Sequence, residues 1–63
     1  MDDRQRFYPT QQVRVARGKD YLECQGTVMS VYKNIDNIWV CIIDFKDEER
    51  PVTLPEDFLE RAI

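Results

Sequence analysis

Apolar and polar residues alternate along most of this chain with a period of two, the pattern of half-buried β-strands. Residues 11–17 set Val13 and Val15 on one side and Arg14 on the other, which predicts a first strand. Residues 17–24 form a long loop in which Gly18 supplies the positive φ that such turns require. Residues 27–32 make a second strand with uneven spacing, since Val28 and Val31 stand three apart with Met29 between them. A β-bulge near Gly26 or Ser30 reconciles these positions. Residues 33–37 are a turn cluster rich in asparagine and aspartate, which tolerate left-handed backbone. Residues 38–45 are the strongest strand, apolar on both faces. Ile38, Val40 and Ile42 form one face; Trp39, Cys41, Ile43 and Phe45 form the other. One face fills the interior, and the other is covered by a loop, met by a partner or left as an exposed patch. A charged loop at 46–49 then leads to a fourth strand at 50–54, which Pro51 confines to a strand start or a sheet edge.

The chain next changes character. Thr53 and Glu56 stand at capping-box spacing, and Pro55 suits the first position of a helical turn. Glu56 and Asp57 place negative charge at the positive end of the local peptide dipoles. The expectation is one 3-10 turn near residues 55–58, followed by a short fifth strand at 59–63 beside the first. The competing reading makes residues 55–63 one amphipathic helix with Phe58, Leu59 and Ala62 inward. Nine residues fall short of the ~12–15 that an independently stable helix needs, which favours the turn and strand. At the other end, residues 1–9 are expected to be a flexible segment, frayed through Arg6. Phe7 or Tyr8 tucks against the domain, and Pro9 stops any helix. Residues 10–63 then form a single domain.

Composition narrows the possibilities. Sixty-three residues, 43% hydrophobic and 33% charged, are those of one small folded domain. A chain of this size buries only about 60% of the surface its unfolded form exposes, so the core is small. Residues 1–33 hold six basic and four acidic residues, a net +2, whereas residues 34–63 hold three and eight, a net −5. Nucleic-acid binders usually show a basic excess, and here the balance leans toward a partner with a basic surface. No apolar run approaches the roughly 20 residues of a membrane helix, and the N-terminus lacks the order of a secretory signal. The chain is therefore expected to be cytoplasmic, with Cys24 and Cys41 reduced and packed as buried thiols. Two cysteines and no histidine complete a tetrahedral zinc site only where carboxylates or a second chain add ligands.

Several short strands, a long first loop and a proline-containing turn before the last strand together resemble an SH3-like small barrel. Leu54-Pro55-Glu56-Asp57-Phe58-Leu59-Glu60 looks like the Pro-x-x-aromatic-aliphatic-acid stretch that closes SH3 domains. Trp39 stands where those domains place a groove tryptophan. The resemblance implies an all-β, five-stranded SH3-like barrel over about residues 11–63, with Pro55 and Phe58 closing it. The chain departs from the family's motifs in three places. Val-Arg-Val-Ala-Arg replaces the Ala-Leu-Tyr-Asp-Tyr opening, Val40 replaces the second tryptophan, and Phe58 lacks the hydroxyl of the groove tyrosine. Gly26-Thr27-Val28, the apolar strand ending at Phe45 and the closing Asp57-Phe58-Leu59-Glu60 also look like Tudor-like, bacterial ribosome-type and photosynthetic accessory-subunit barrels, which share a fold and differ in function.

The candidate contact residues follow. Tyr21, Trp39, Pro55 and Phe58, with Tyr8 or Tyr32, are positioned to line one apolar groove. If Ile38, Val40 and Ile42 face the core, parity turns Trp39 outward to grip a ligand. Asp20 and Glu23 in the first loop would then pair with a basic ligand residue. The plainer reading makes Trp39 and Phe58 core, and Tyr21 a loop anchor. Nucleic-acid binding would instead use Arg14, Arg17 and Lys19, with Arg4 and Arg6 beside them and Tyr8 and Tyr21 as stacking platforms. A cage of Tyr21, Tyr32 and Trp39 around a methylated cation is a third arrangement. Asp47, Glu48 and Glu49, and Glu56 with Asp57, suit weak binding of a hard cation or simple solvation. Without histidine, a phosphate-cradling glycine loop or a nucleophile–base pair, catalysis is not expected. The sequence thus points to a non-enzymatic protein-interaction module, an accessory or regulatory subunit with no cofactor and no metal. The alternative is an RNA-associated small barrel.

Overall fold

The computed structural model describes residues 5–62. Five strands and one 3-10 turn follow one another: β1 (Gln12–Val15), β2 (Gln25–Lys33), β3 (Trp39–Phe45), β4 (Val52–Pro55), the turn Glu56–Phe58, and β5 (Leu59–Arg61). All pairings are antiparallel, in the order β4-β3-β2-β1-β5. The expected fifth strand lies beside the first, with Val15 opposite Leu59 and Val13 opposite Arg61. Extended backbone at Leu59 (φ −117°, ψ 153°) rules out one helix over 55–63. Residues 1–4 of the segment expected to fray, and Ile63 of the fifth strand, lie outside the described residues.

One expectation needs correction: the sheet is not closed into a barrel. Among the described residues β4 and β5 remain its two edges, unpaired with each other. They are four and three residues long, and β4 carries a proline at one end and follows Pro51 at the other. Such edges offer few backbone donors for a further ladder.

The uneven spacing of β2 resolves as a bulge. Val28 pairs with Ile43, the register shifts between Val28 and Ser30, and Val31 then pairs with Cys41. The extra residue lets Val28 and Val31, three apart, both face inward, while Met29 is half exposed. Gly26 is not itself the bulge. It lies between Val13 on β1 and Phe45 on β3, where a Cβ would stand 2.6 Å from Ile43 Cγ2 and 2.9 Å from the Asp44 carbonyl oxygen. No side chain fits there.

The core is one cluster of Phe7, Val13, Val15, Val28, Cys41, Ile43, Phe45 and Leu59, with Tyr21, Val31, Val52 and Leu54 packed against it. On β3 the inward row is therefore Cys41, Ile43 and Phe45, not Ile38, Val40 and Ile42. The condition that turned Trp39 outward is not met. Phe7 is the N-terminal aromatic that tucks in, whereas Tyr8 is 53% exposed.

The capping box also does not form. No side chain caps the 3-10 turn, and Thr53 is exposed on β4 opposite Ile42. Glu56 is instead only 4% exposed, and one of its oxygens accepts the backbone N–H groups of Arg6 at 2.8 Å and Phe7 at 3.2 Å. Arg6, expected to fray, is held there, and its guanidinium pairs with Asp57 at 3.2 Å.

Candidate functional site

The predicted groove residues are distributed over three regions. Tyr21 stacks on Phe45 with centroids 5.4 Å apart and rings within 2° of parallel. Phe45 ends β3 and Trp39 begins it, six residues and about 20 Å of strand away. Tyr21 and Trp39 therefore do not share a groove, and the cage of Tyr21, Tyr32 and Trp39 does not assemble. Trp39 continues the inward row at its open end and is partly buried, with the Lys33 ammonium 5.3 Å from its ring centroid. Pro55 pairs with Val40 and so lies on the opposite face from Trp39. Phe58, also partly buried, lies under the first loop, 3.2 Å from where a Gly18 Cβ would be, and its carbonyl accepts the Ala16 N–H at 2.7 Å. Gly18 has the expected left-handed backbone, φ +106°.

Asp20 and Glu23 are exposed on either side of Tyr21. The loop folds back on β1 through Glu23 N–H to the Val15 carbonyl (2.8 Å) and Val15 N–H to the Cys24 carbonyl (3.0 Å), and Cys24 N–H to the Tyr21 carbonyl (2.9 Å) closes a turn within it. Of the three cations in the nucleic-acid reading, Arg14 donates to Glu60 through both Nε and Nη2. That bond and charge raise the Arg14 pKa further. Arg17 and Lys19 are exposed in the loop. Of the two thiols expected to be buried, Cys41 is, whereas Cys24 is exposed in the first loop. Burial, with the Glu56 charge adding to it, pushes the Cys41 thiol up to about 11. Such a thiol packs as a small apolar group and is unreactive. Among the described residues no three cysteine or carboxylate side chains converge to hold a metal ion, and no helix is long and apolar enough to cross a membrane.

The face of β3 left outside the core is the feature that the sequence only half disclosed. By alternation Ile38, Val40 and Ile42 form its row, in which Ile38 is exposed, Ile42 partly buried and Val40 buried at 5% exposure, although Val40 does not join the core cluster. Tyr32 lies opposite Val40 on β2 and Pro55 opposite it on β4, so an apolar strip crosses three strands. Tyr32 is 45% exposed and Ile38 44%, and Ile35 at the hairpin tip is 100% exposed. Ser30 and Thr53 flank Ile42 without charge. The tip is fixed, not slack: the Asn34 carboxamide oxygen accepts the N–H groups of Asp36 (2.9 Å) and Ile38 (3.0 Å), and Asn37 takes φ +65°. An isoleucine within the turn signal 33–37 was the available clue, since turn chemistry there requires no apolar side chain.

Comparison with protein-family models, with curated proteins and with solved structures finds no match to this chain.

Proposed function

We propose that this chain is a non-enzymatic protein-interaction module that docks on a larger assembly through the outer face of the β2–β3 hairpin. The observation that carries the reading is the exposed apolar set Tyr32, Ile35 and Ile38 on the hairpin, backed by partly buried Ile42 and Pro55 around buried Val40. In a domain with a core this small, apolar side chains left outside forgo burial that would stabilise the fold by roughly 25 cal/mol per Å². A partner surface recovers that burial on binding, and uncharged neighbours such as Ser30 and Thr53 lower the desolvation cost at its centre. The long first loop, the 3-10 turn and the pairing of β5 with β1 support an SH3-like plan for the scaffold, open between β4 and β5. The net −5 of residues 34–63 suits a partner with basic surroundings.

Ile35→Asp and Ile38→Thr test the reading, because both residues are exposed and neither belongs to the core. The doubly substituted protein is expected to keep its fold and to lose a stoichiometric protein that co-purifies with the natural chain. Retention of every partner by the folded double variant would refute the docking face.

A further inference from the structure

Near Phe45, at the end of β3 away from Trp39, Tyr21 lines two adjoining surface recesses, and Phe45, on which it stacks, lines the smaller of them. One, of about 140 Å³, lies between the first loop and the β3–β4 loop and is lined mainly by apolar surface, with Tyr21, Cys24 and Phe45 among its walls. The other, of about 410 Å³, continues from Tyr21 along Pro51 and Val52. Asp47 and Glu48 border both, and Glu49 the second. Among the described residues none of these three carboxylates has a side-chain hydrogen bond or ion pair. Lys46 and Arg50 also line the recesses, one in each, yet neither pairs with a carboxylate there.

We infer that this recess receives a lysine or arginine side chain presented by the docked protein. The aliphatic stem of such a residue packs along Pro51 and Val52, and its charged head meets the Tyr21 ring and the free carboxylates. A neutral apolar side chain would satisfy the aromatic wall and leave the acids without a partner. An anion would be repelled. The inference rests on the protein-docking reading and names a second contact, separate from the hairpin face.

The test uses three tripeptides, acetyl-Gly-Lys-Gly-amide and its arginine and norleucine counterparts, titrated into the ¹⁵N-labelled full chain. The lysine or the arginine peptide is expected to shift the amides of Tyr21, Cys24, Phe45, Glu48 and Val52, saturably and less at 0.5 M salt. Norleucine, of similar length and without charge, is expected to leave them in place. Asp47→Asn with Glu48→Gln is expected to weaken the cationic peptide by about fivefold, two exposed charge pairs of ordinary size, with the remaining spectrum unchanged. Equal shifts from norleucine, shifts centred elsewhere, or none at tens of millimolar peptide would overturn the inference. Ile35→Asp separates the two claims, since it removes the partner without altering this titration. If the peptides fail while Ile35→Asp still releases the partner, the recess is wrong and the docking face stands. If the peptides bind here while Ile35→Asp releases nothing, the docking face falls and the recess stands.

Discussion

Replacing Glu56 tests how the N-terminal segment is joined to the domain. A single oxygen of its buried carboxylate accepts two backbone N–H groups, those of Arg6 at 2.8 Å and Phe7 at 3.2 Å. Glu56→Ala leaves the Phe7 N–H buried without an acceptor, at a cost of about 1–3 kcal/mol. It also frees Phe7, only 3% exposed, whose burial contributes roughly 1.5–3 kcal/mol. Removing a buried charge returns part of this, because its desolvation cost disappears. The net loss should be about 2–4 kcal/mol, against a total of roughly 3–9 kcal/mol for a domain of this length. Glu56→Gln keeps an amide oxygen that can take the place of the accepting one, and should cost about 1 kcal/mol. Urea unfolding at pH 7 measures both values, and amide hydrogen exchange at Arg6 and Phe7 locates the change. A Glu56→Ala protein within about 0.5 kcal/mol of the natural one, its Arg6 and Phe7 amides still protected, would refute the clamp.

Two further predictions concern the core. The Cys41 thiol is raised from about 9 to about 11 in the fold. Below the lower value both folded and unfolded chains keep the proton and no pH dependence arises. Between the two values the unfolded chain loses its proton first, so stability falls as pH rises, by up to about 3 kcal/mol. The difference in stability between the natural chain and Cys41→Val, followed from pH 8 to 11, isolates this from other titrations. A constant difference would contradict it. Gly26→Ala should cost about 1–3 kcal/mol in thermal or urea unfolding, since the added Cβ meets Ile43 Cγ2 at 2.6 Å and a backbone oxygen at 2.9 Å. An unchanged midpoint would show that β2 and β3 separate there without cost.

The strands were legible because each is short and strongly patterned, and their order followed from turn signals and from placing the last strand beside the first. The bulge in β2 was readable too, since Val28 and Val31 share one face only if a residue is inserted between them. The inward face of β3 was not, because Ile38-Trp39-Val40-Cys41-Ile42-Ile43 is apolar at every position. Parity there depends on what Val31 and Leu54 meet across the ladder, which is a long-range fact. Capping-box spacing misled for a similar reason. Thr53 and Glu56 have the right separation, but Thr53 is committed to β4 and Glu56 to a segment about fifty residues earlier. The SH3-like motif likewise suggested that Tyr21, Trp39, Pro55 and Phe58 line one groove. The register places them in three regions, and exposed Tyr32 and Ile38 lie on the face that the groove reading required to be core.

The docking face is tested most directly by a photo-activated cross-linking residue placed at Ile35, at Ile38 or, as a control, at exposed Arg61 on β5, in cells that produce this protein. The account predicts adducts with one discrete protein from positions 35 and 38 and none with that protein from position 61. No adduct from either hairpin position, or the same set from all three, would contradict it.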